Sequence, residues 1–169
     1  MGAMKPVSPE HIRDSFVNAT DDDLRAMTLP GLHETLWEER EFLGWRDASH
    51  PTKGYLVFWV GDVPRGLLVR AAETQMPPGR SALCALCHTH QPAPQVSLFV
   101  APKAGDAGHR GNTVGTYLCA DLACSTLIRI TPAASAEQPH PEAVIPHKAS
   151  GLLQRLENFS NRVLAVETS

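Results

Sequence analysis

The sequence predicts an α+β fold in which a small antiparallel sheet is preceded by short helices and followed by one longer helix. Two runs of β-forming residues, Tyr55–Val60 and Gly66–Ala71, flank a turn at 61–64 and are typical of a β-hairpin. Further along the chain, four cysteines fall in two pairs. Near the end, Lys148–Val166 carries apolar residues at helical spacing, which predicts an amphipathic helix.

Composition limits the class of protein. The chain has 169 residues, of which 43% are hydrophobic, so it is long enough to bury a core. Its net charge of −3 does not demand nucleic acid or an anionic membrane as a partner. No apolar run approaches the roughly 18 residues of a membrane span, and the start lacks the pattern of a signal peptide. We therefore expect a cytoplasmic protein with no membrane partner, and we interpret residues 1–3, ahead of Met4, as a cloning remnant.

The first 50 residues are predicted to form an N-terminal helical segment. Ser8 and Thr20 each precede an acidic first turn, as N-caps do, and a third helix fits His33–Glu41. The segment holds 5 Lys/Arg against 10 Asp/Glu, so its net charge is −5. We expect these helices to pack on the rest of the protein, and an acidic docking face is the alternative.

The segment 51–130 is predicted to form the main domain. Beyond the hairpin, further elements alternate with turn residues. They are a strand at Val96–Val100, a Gly-rich loop at Ala104–Gly111, a strand at Thr113–Leu118 and a helix at Ala120–Ile130. The next segment, 131–147, contains four prolines and is interpreted as a linker. We expect the final segment, 148–169, to form a helix that packs back on its own domain rather than on a partner.

The cysteine pairs predict a metal site. In a cytoplasmic protein, cysteines are metal ligands or redox groups more often than disulfides. Cys84 and Cys87 form a C-x-x-C motif, and Cys119 and Cys124 lie five residues apart, at a predicted strand end and the first turn of a helix. Zn²⁺ takes four thiolates at the corners of a tetrahedron. A hairpin-borne first pair and a helix-borne second pair are the layout of a treble-clef zinc finger, with Cys84, Cys87, Cys119 and Cys124 as ligands.

Other chemistries compete for these residues. A thioredoxin-like redox pair would leave two cysteines unused, and so would c-type haem attachment at the C-x-x-C-H motif of residues 84–88. A redox-switched zinc protein and free core cysteines are further alternatives. His88 and His90 lie close to the first pair, so either could replace a cysteine as ligand, although a hydrogen bond to a sulfur or exposure to solvent fits them better.

Catalytic motifs are not found in the sequence, and we expect a protein that is not an enzyme and takes no small-molecule substrate. There is no G-x-S-x-G, P-loop or H-E-x-x-H pattern. The Gly-rich loop lacks the Lys-Ser/Thr of a phosphate-binding loop and is interpreted as a flexible tip that presents His109, Arg110 and Asn112 to a partner.

The sequence also resembles a known family. The stretch 111–125, which runs from Gly-Asn-Thr to the second cysteine pair, and the Cys-x-x-Cys-His at 84–88 resemble the elongation-factor-G-binding proteins. Ile12–Asn18 and Phe42–Asp47 are similar to the shorter actinobacterial branch of that family. The resemblance covers roughly residues 8–130. It implies a C-terminal treble-clef zinc finger, with the same four cysteines as ligands, that binds elongation factor G and helps to release it from the ribosome.

A partner surface on the finger follows from this resemblance. We place it at six residues, which are Phe99, Lys103, His109, Arg110, Asn112 and Tyr117. Because the N-terminal segment is shorter than the helical bundle of the fusidic-acid-resistance proteins, we expect a housekeeping role in translation rather than antibiotic resistance. An RNA- or ribosome-binding zinc-finger module is an alternative, since residues 80–130 are net +2, but only four Lys/Arg lie there.

Overall fold

The computed structural model describes residues 4–73 and 77–165, and it has a five-stranded antiparallel sheet at its centre. The strand order is β1-β2-β3-β6-β7, and a separate two-stranded sheet pairs β4 with β5. The strands are β1 Leu43–Arg46, β2 Lys53–Val60, β3 Val63–Ala71, β4 Ser81–Leu83, β5 His90–Pro92, β6 Val96–Pro102 and β7 Thr113–Cys119. The helices are α1 Pro9–Ser15, α2 Asp21–Ala26, α3 Asp106–His109, α4 Cys124–Leu127 and α5 Ile145–Leu164. The α+β class predicted from sequence is therefore confirmed.

The β2–β3 hairpin forms the centre of the sheet, as predicted. Val60 pairs with Val63 across a two-residue turn in which Gly61 has a φ of 61°, a conformation that glycine adopts without a Cβ clash. Successive β2 side chains point to opposite faces, and residues 54–58 are all buried. Both faces of the sheet are therefore covered by other parts of the chain.

The two faces carry different layers. On one face, Tyr55, Val57 and Leu68 pack with the N-terminal residues, among them Ile12 and Met27. On the other face, a larger core contains all four cysteines and the apolar side of α5. Its largest members on the sheet and helix are Leu56, Phe58, Leu67, Phe99, Leu152, Leu156 and Phe159. The cysteines therefore lie within the main hydrophobic core and not in an appended lobe.

The two predicted N-terminal caps are confirmed. The Ser8 hydroxyl accepts a hydrogen bond from His11 N at 3.1 Å, and the Thr20 hydroxyl accepts one from Asp23 N at 3.1 Å. Each cap satisfies a backbone N–H that the first helical turn leaves without a partner. Beyond α1, Asn18 Oδ1 accepts a hydrogen bond from Leu68 N at 2.7 Å, and Asn18 Nδ2 donates to the Leu68 carbonyl at 2.9 Å. The Asn18 side chain therefore pairs with β3 at a position where β6 does not.

The third helix predicted at His33–Glu41 is wrong. Only a short 3-10 turn, Trp37–Glu39, forms there, and the chain then becomes extended and enters β1 at residue 43, inside the segment expected to be helical. The reason is a tertiary contact. Both Glu41 carboxylate oxygens accept hydrogen bonds from the Arg129 guanidinium at 2.8 Å, with the carboxylate buried. That buried pair fixes Glu41 in a bend outside any helix, although the sequence treats it as part of an exposed charged face.

The C-terminal helix packs on its own domain, as expected. α5 begins at Ile145, three residues earlier than predicted, because Pro146 fits the first turn of a helix. Val166, the predicted last residue, lies outside the described residues. Ahead of α5, the predicted linker is irregular apart from a 3-10 turn at Pro141–Val144. No helix in the described ranges combines the length and apolar character that crossing a bilayer requires.

A buried carboxylate, Asp47, ties the N-terminal layer to the sheet. It accepts hydrogen bonds from Tyr55 Oη at 2.8 Å, Thr28 N at 3.0 Å, Ser49 N at 2.8 Å and His50 N at 3.1 Å. Burial alone would raise the pKa of this group, but the four donors outweigh it and lower the pKa of Asp47 to about 2. The stabilisation from this network is therefore complete above pH ~4, where unfolded Asp is ionised, and is lost as pH falls towards 2.

We expect Asp47→Asn to lower the free energy of unfolding by about 2 kcal/mol at pH 7, because an amide cannot accept four hydrogen bonds and its NH₂ group faces donors. Urea denaturation of both proteins at neutral pH measures the loss. Tyr55→Phe removes a single donor and should cost about 1 kcal/mol. Equal stability of Asp47→Asn and the unsubstituted protein would show that the network contributes nothing.

Candidate metal centre

The first cysteine pair lies in the turn of the β4–β5 hairpin, where Leu83 pairs with His90. His88 N donates to the Cys84 carbonyl at 3.0 Å, and Cys84 N donates to the Thr89 carbonyl at 3.4 Å. His88 closes this turn in the left-handed region, with a φ of 54°. Because these bonds fold the backbone tightly around Cys84 and Cys87, both sulfurs face the same point.

The second pair spans the end of β7 and the start of α4. Cys119 is the last residue of β7, and Cys124 is the first residue of α4. Between them, Leu122 has a φ of 58° and its N–H donates to the Cys119 carbonyl at 2.9 Å. The left-handed residue interrupts the helix predicted at Ala120–Ile130, so α4 starts four residues later and is short. The predicted position of the pair, at a strand end and the first turn of a helix, agrees with the structure.

A backbone hydrogen bond joins the two pairs. Ala85 N, between Cys84 and Cys87, donates to the Tyr117 carbonyl on β7 at 2.8 Å. Tyr117 precedes Cys119 by two residues, so this bond places the first turn beside the second pair. The 31 residues that separate the pairs in sequence therefore fold into a connection that returns the chain to the same place.

The four sulfurs form a compact cluster, and no two lie more than 4.8 Å apart. The Sγ–Sγ separations are 3.7 Å for Cys84–Cys124, 3.6 Å for Cys87–Cys119 and 3.5 Å for Cys119–Cys124. A tetrahedral ion with metal–sulfur bonds of ~2.3 Å needs sulfurs about 3.8 Å apart. The spacing and the soft donor set thus fit a four-coordinate thiophilic cation such as Zn²⁺.

Burial explains why this cluster requires a cation. All four cysteines are buried, at 0–4% exposure. The pKa of Cys84 lies below the usual thiol value because its sulfur accepts hydrogen bonds, first from Cys119. The pKa of Cys124 lies well above it, because its thiol is hydrogen-bonded to Cys119 and buried. Four thiolates this close would repel one another, whereas a divalent cation at their centre allows all of them to ionise.

Other parts of the chain hold the cluster from outside. Arg155 Nε on α5 donates to the carbonyl of Leu86, inside the first pair, at 2.6 Å. Arg46 Nη1 on β1 donates to the carbonyl of Ala120, inside the second pair, at 2.6 Å. Two N–H groups also reach sulfurs, because Leu86 N donates to Cys84 Sγ and Gln91 Nε2 donates to Cys119 Sγ, both at 3.4 Å. Bonds of this kind reduce the negative charge that thiolate ligands carry.

The six predicted partner residues do not form one surface. Phe99 is fully buried in the core beneath the Arg46 guanidinium, so its assignment as a partner contact is wrong. Tyr117 is 44% exposed near the metal centre. His109 and Arg110 are exposed at the opposite end of the β6–β7 hairpin, about 20 Å away for strands of this length. Lys103 N donates to the Asn112 carbonyl and closes the base of that tip, where both residues are partly buried.

Sequence reasoning missed the residues that support the cluster. Gln91, Arg46 and Arg155 lie 28, 74 and 69 residues from the positions that they contact. Of the three, only Gln91 lies close to the cysteine motif in the sequence, four residues after Cys87. The two arginines have no local pattern that separates them from exposed ones.

We expect Cys119→Ser to abolish stoichiometric zinc binding and to unfold the protein. Four-thiolate sites contribute an apparent ~10–16 kcal/mol, which is comparable to the whole stability of a domain this size. Metal analysis and circular dichroism measure both effects. As matched controls, His88→Asn and His90→Ala should keep the metal, since both histidines are exposed. Metal loss in either control would show that a histidine is a ligand.

Comparison with known proteins agrees with this geometry. No curated protein and no solved structure matches the chain. The family described as FBP C-terminal treble-clef zinc-finger matches residues 11–163. The match extends past the resemblance seen in the sequence, which ended near residue 130, and takes in most of α5. Because most of its length is covered, the chain belongs to this treble-clef family, that of the elongation-factor-G-binding proteins.

Proposed function

We propose that the metal is a structural Zn²⁺ and that the protein acts by binding a partner rather than by catalysis. Support comes from the four buried sulfurs, whose spacing fits a closed tetrahedral site. Such a site leaves no coordination position for water, so the ion would supply rigidity and not Lewis-acid chemistry. Cys84, Cys87, Cys119 and Cys124 would hold it, each as a thiolate.

The proposed partner is elongation factor G, bound in the cytoplasm on the translation machinery, and binding would aid its release from the ribosome. The observation that carries this proposal is the family match over residues 11–163. This family, that of the elongation-factor-G-binding proteins, is defined by its C-terminal treble-clef zinc finger. The buried cluster supports it, because a structural metal holds exposed strands and turns in a fixed shape for recognition.

The tip of the β6–β7 hairpin is suited to this docking because a short helix and backbone hydrogen bonds define its shape. Residues 106–109 form α3, Ala107 is buried, and Asn112 N donates to the Ala107 carbonyl at 3.0 Å. Gly108 is required at its position, because a Cβ there would lie 1.8 Å from the Lys103 carbonyl oxygen. A backbone held by such bonds has little conformational entropy left to lose on binding, which favours a contact at the exposed Arg110.

Tyr117 supplies the second proposed contact, close to the metal. It is one of few exposed large apolar side chains on the described sheet, and exposed tyrosine is a common anchor at interfaces. Its backbone carbonyl already binds Ala85 N, so its position depends on the folded finger. We propose that Tyr117 and Arg110 contact the same partner from opposite ends of β7.

We expect the zinc-loaded protein to bind purified elongation factor G with a micromolar or tighter dissociation constant in titration calorimetry. Tyr117→Ala and Arg110→Ala should each weaken binding about tenfold, because each removes a contact worth ~1–2 kcal/mol. Val63→Ala is the matched control, since this residue is exposed at the distant β2–β3 turn.

If protein shown to contain zinc does not bind elongation factor G, the proposed partner is wrong. If Tyr117→Ala and Arg110→Ala both bind with the affinity of the unsubstituted protein, the interface does not include these residues. Titration against ribosomal RNA at two salt concentrations then tests the alternative of an RNA-binding module, for which affinity must fall steeply as salt rises.

A further inference from the structure

We propose that Gln91 is a positioning residue of the metal centre, and that its side-chain amide compensates the charge of the Cys119 thiolate and slows loss of the metal. The inference rests on the zinc-loaded site proposed above and goes beyond it, because it assigns a function to a residue that is not a ligand. Gln91 lies on β5, four residues after Cys87 and 28 residues before Cys119.

The first observation is that Gln91 is buried. Glutamine is usually exposed, since burial removes its amide from water at a cost of about 1–3 kcal/mol unless it finds partners. Here the residue is only 7% exposed. A polar group retained in such a position requires a specific interaction to offset its desolvation.

The second observation is where the amide points. Gln91 Nε2 lies 3.4 Å from Cys119 Sγ and 3.3 Å from the Thr89 carbonyl oxygen. The bond to Thr89 lies within the same hairpin and fixes the rotation of the amide. The NH₂ group can therefore direct one hydrogen towards Thr89 and the other towards the sulfur, and an amide NH₂ has two hydrogens to donate.

The charge of the site explains why this bond matters. Four thiolates around one divalent cation carry a net charge of −2, and here that charge is buried. Within the described residues, Leu86 N donates a hydrogen bond to the sulfur of Cys84 in the first pair. Gln91 Nε2 donates one to the sulfur of Cys119 in the second pair. A hydrogen bond withdraws charge from a thiolate, which makes it a weaker nucleophile and a poorer target for protonation. Cys119 should therefore be protected from oxidants and alkylating agents.

The test replaces the donor while keeping the shape. Gln91→Met has a similar length and no N–H, and Gln91→Glu is nearly isosteric but adds a negative charge. Gln95→Met is the matched control, because Gln95 is exposed and lines the same surface cavity as Gln91. With zinc-loaded proteins, we expect Gln91→Met to release zinc to a chelator ~10–100-fold faster, as for other losses around metal ligands. Gln91→Glu should be more severe, and Gln95→Met should match the unsubstituted protein.

A second readout separates charge compensation from simple loosening. Mass spectrometry after brief treatment with iodoacetamide gives the alkylation rate of each cysteine. If the amide acts on its sulfur, Gln91→Met raises the rate at Cys119 more than at Cys84. A uniform rise at all four cysteines would mean that Gln91 only packs the finger, and unchanged release and alkylation would also overturn the proposal.

The unsubstituted protein provides a test that does not depend on a variant folding. In protein loaded with the NMR-active cadmium isotope, the Gln91 amide proton should show scalar coupling to the metal through the N–H···S bond. An amide without this coupling would contradict the proposal. If the unsubstituted protein bound neither zinc nor cadmium, the structural metal site itself would be wrong. Normal metal binding with an inert Gln91 would overturn this inference alone.

Discussion

The convergence of four buried sulfurs is the constraint on which the rest of this structure depends. The cluster joins the β4–β5 turn, the end of β7 and the start of α4, three places that the chain reaches at long intervals. All four cysteines also belong to the main core, which includes apolar residues of the sheet and of α5. Hydrophobic packing and ligand geometry must therefore be satisfied together. A shift of the core side chains would displace the sulfurs, and a shift of the sulfurs would disturb the core.

The surroundings of the cluster show how a small protein makes such a site rigid. Arg155 and Arg46 donate to the backbone carbonyls within the two cysteine pairs, from α5 and from β1. The pair of Glu41 and Arg129 then fixes the chain that follows α4 against the segment entering β1. Elements from both ends of the sequence thus clamp the finger, which is consistent with a family match that begins at residue 11 and ends at residue 163.

The metal centre and the proposed docking surface differ in the exposure to solvent that each requires. The centre excludes water, so its side chains are buried and its hydrogen bonds are made within the chain. A docking surface must remain exposed, and the residues proposed for it lie on β7 and at the α3 tip. Phe99 illustrates the distinction, because it lies on β6 beside these strands and still belongs to the core. Alternation of faces along a strand decides which residues can reach a partner.

Local chemistry was enough for the sequence to determine the caps at Ser8 and Thr20, the β2–β3 hairpin, the amphipathic α5 and the four-cysteine motif, because each depends on residues that are close in sequence. The tertiary structure alone decided the non-helical bend at Glu41, the left-handed Leu122 that delays α4, the burial of Phe99 and the placement of Gln91 against Cys119. In each of these cases the deciding partner or packing lies far away along the chain, or the backbone is bent to reach the cluster. Local propensity carries no information about such contacts, since only the folded chain brings the partners together.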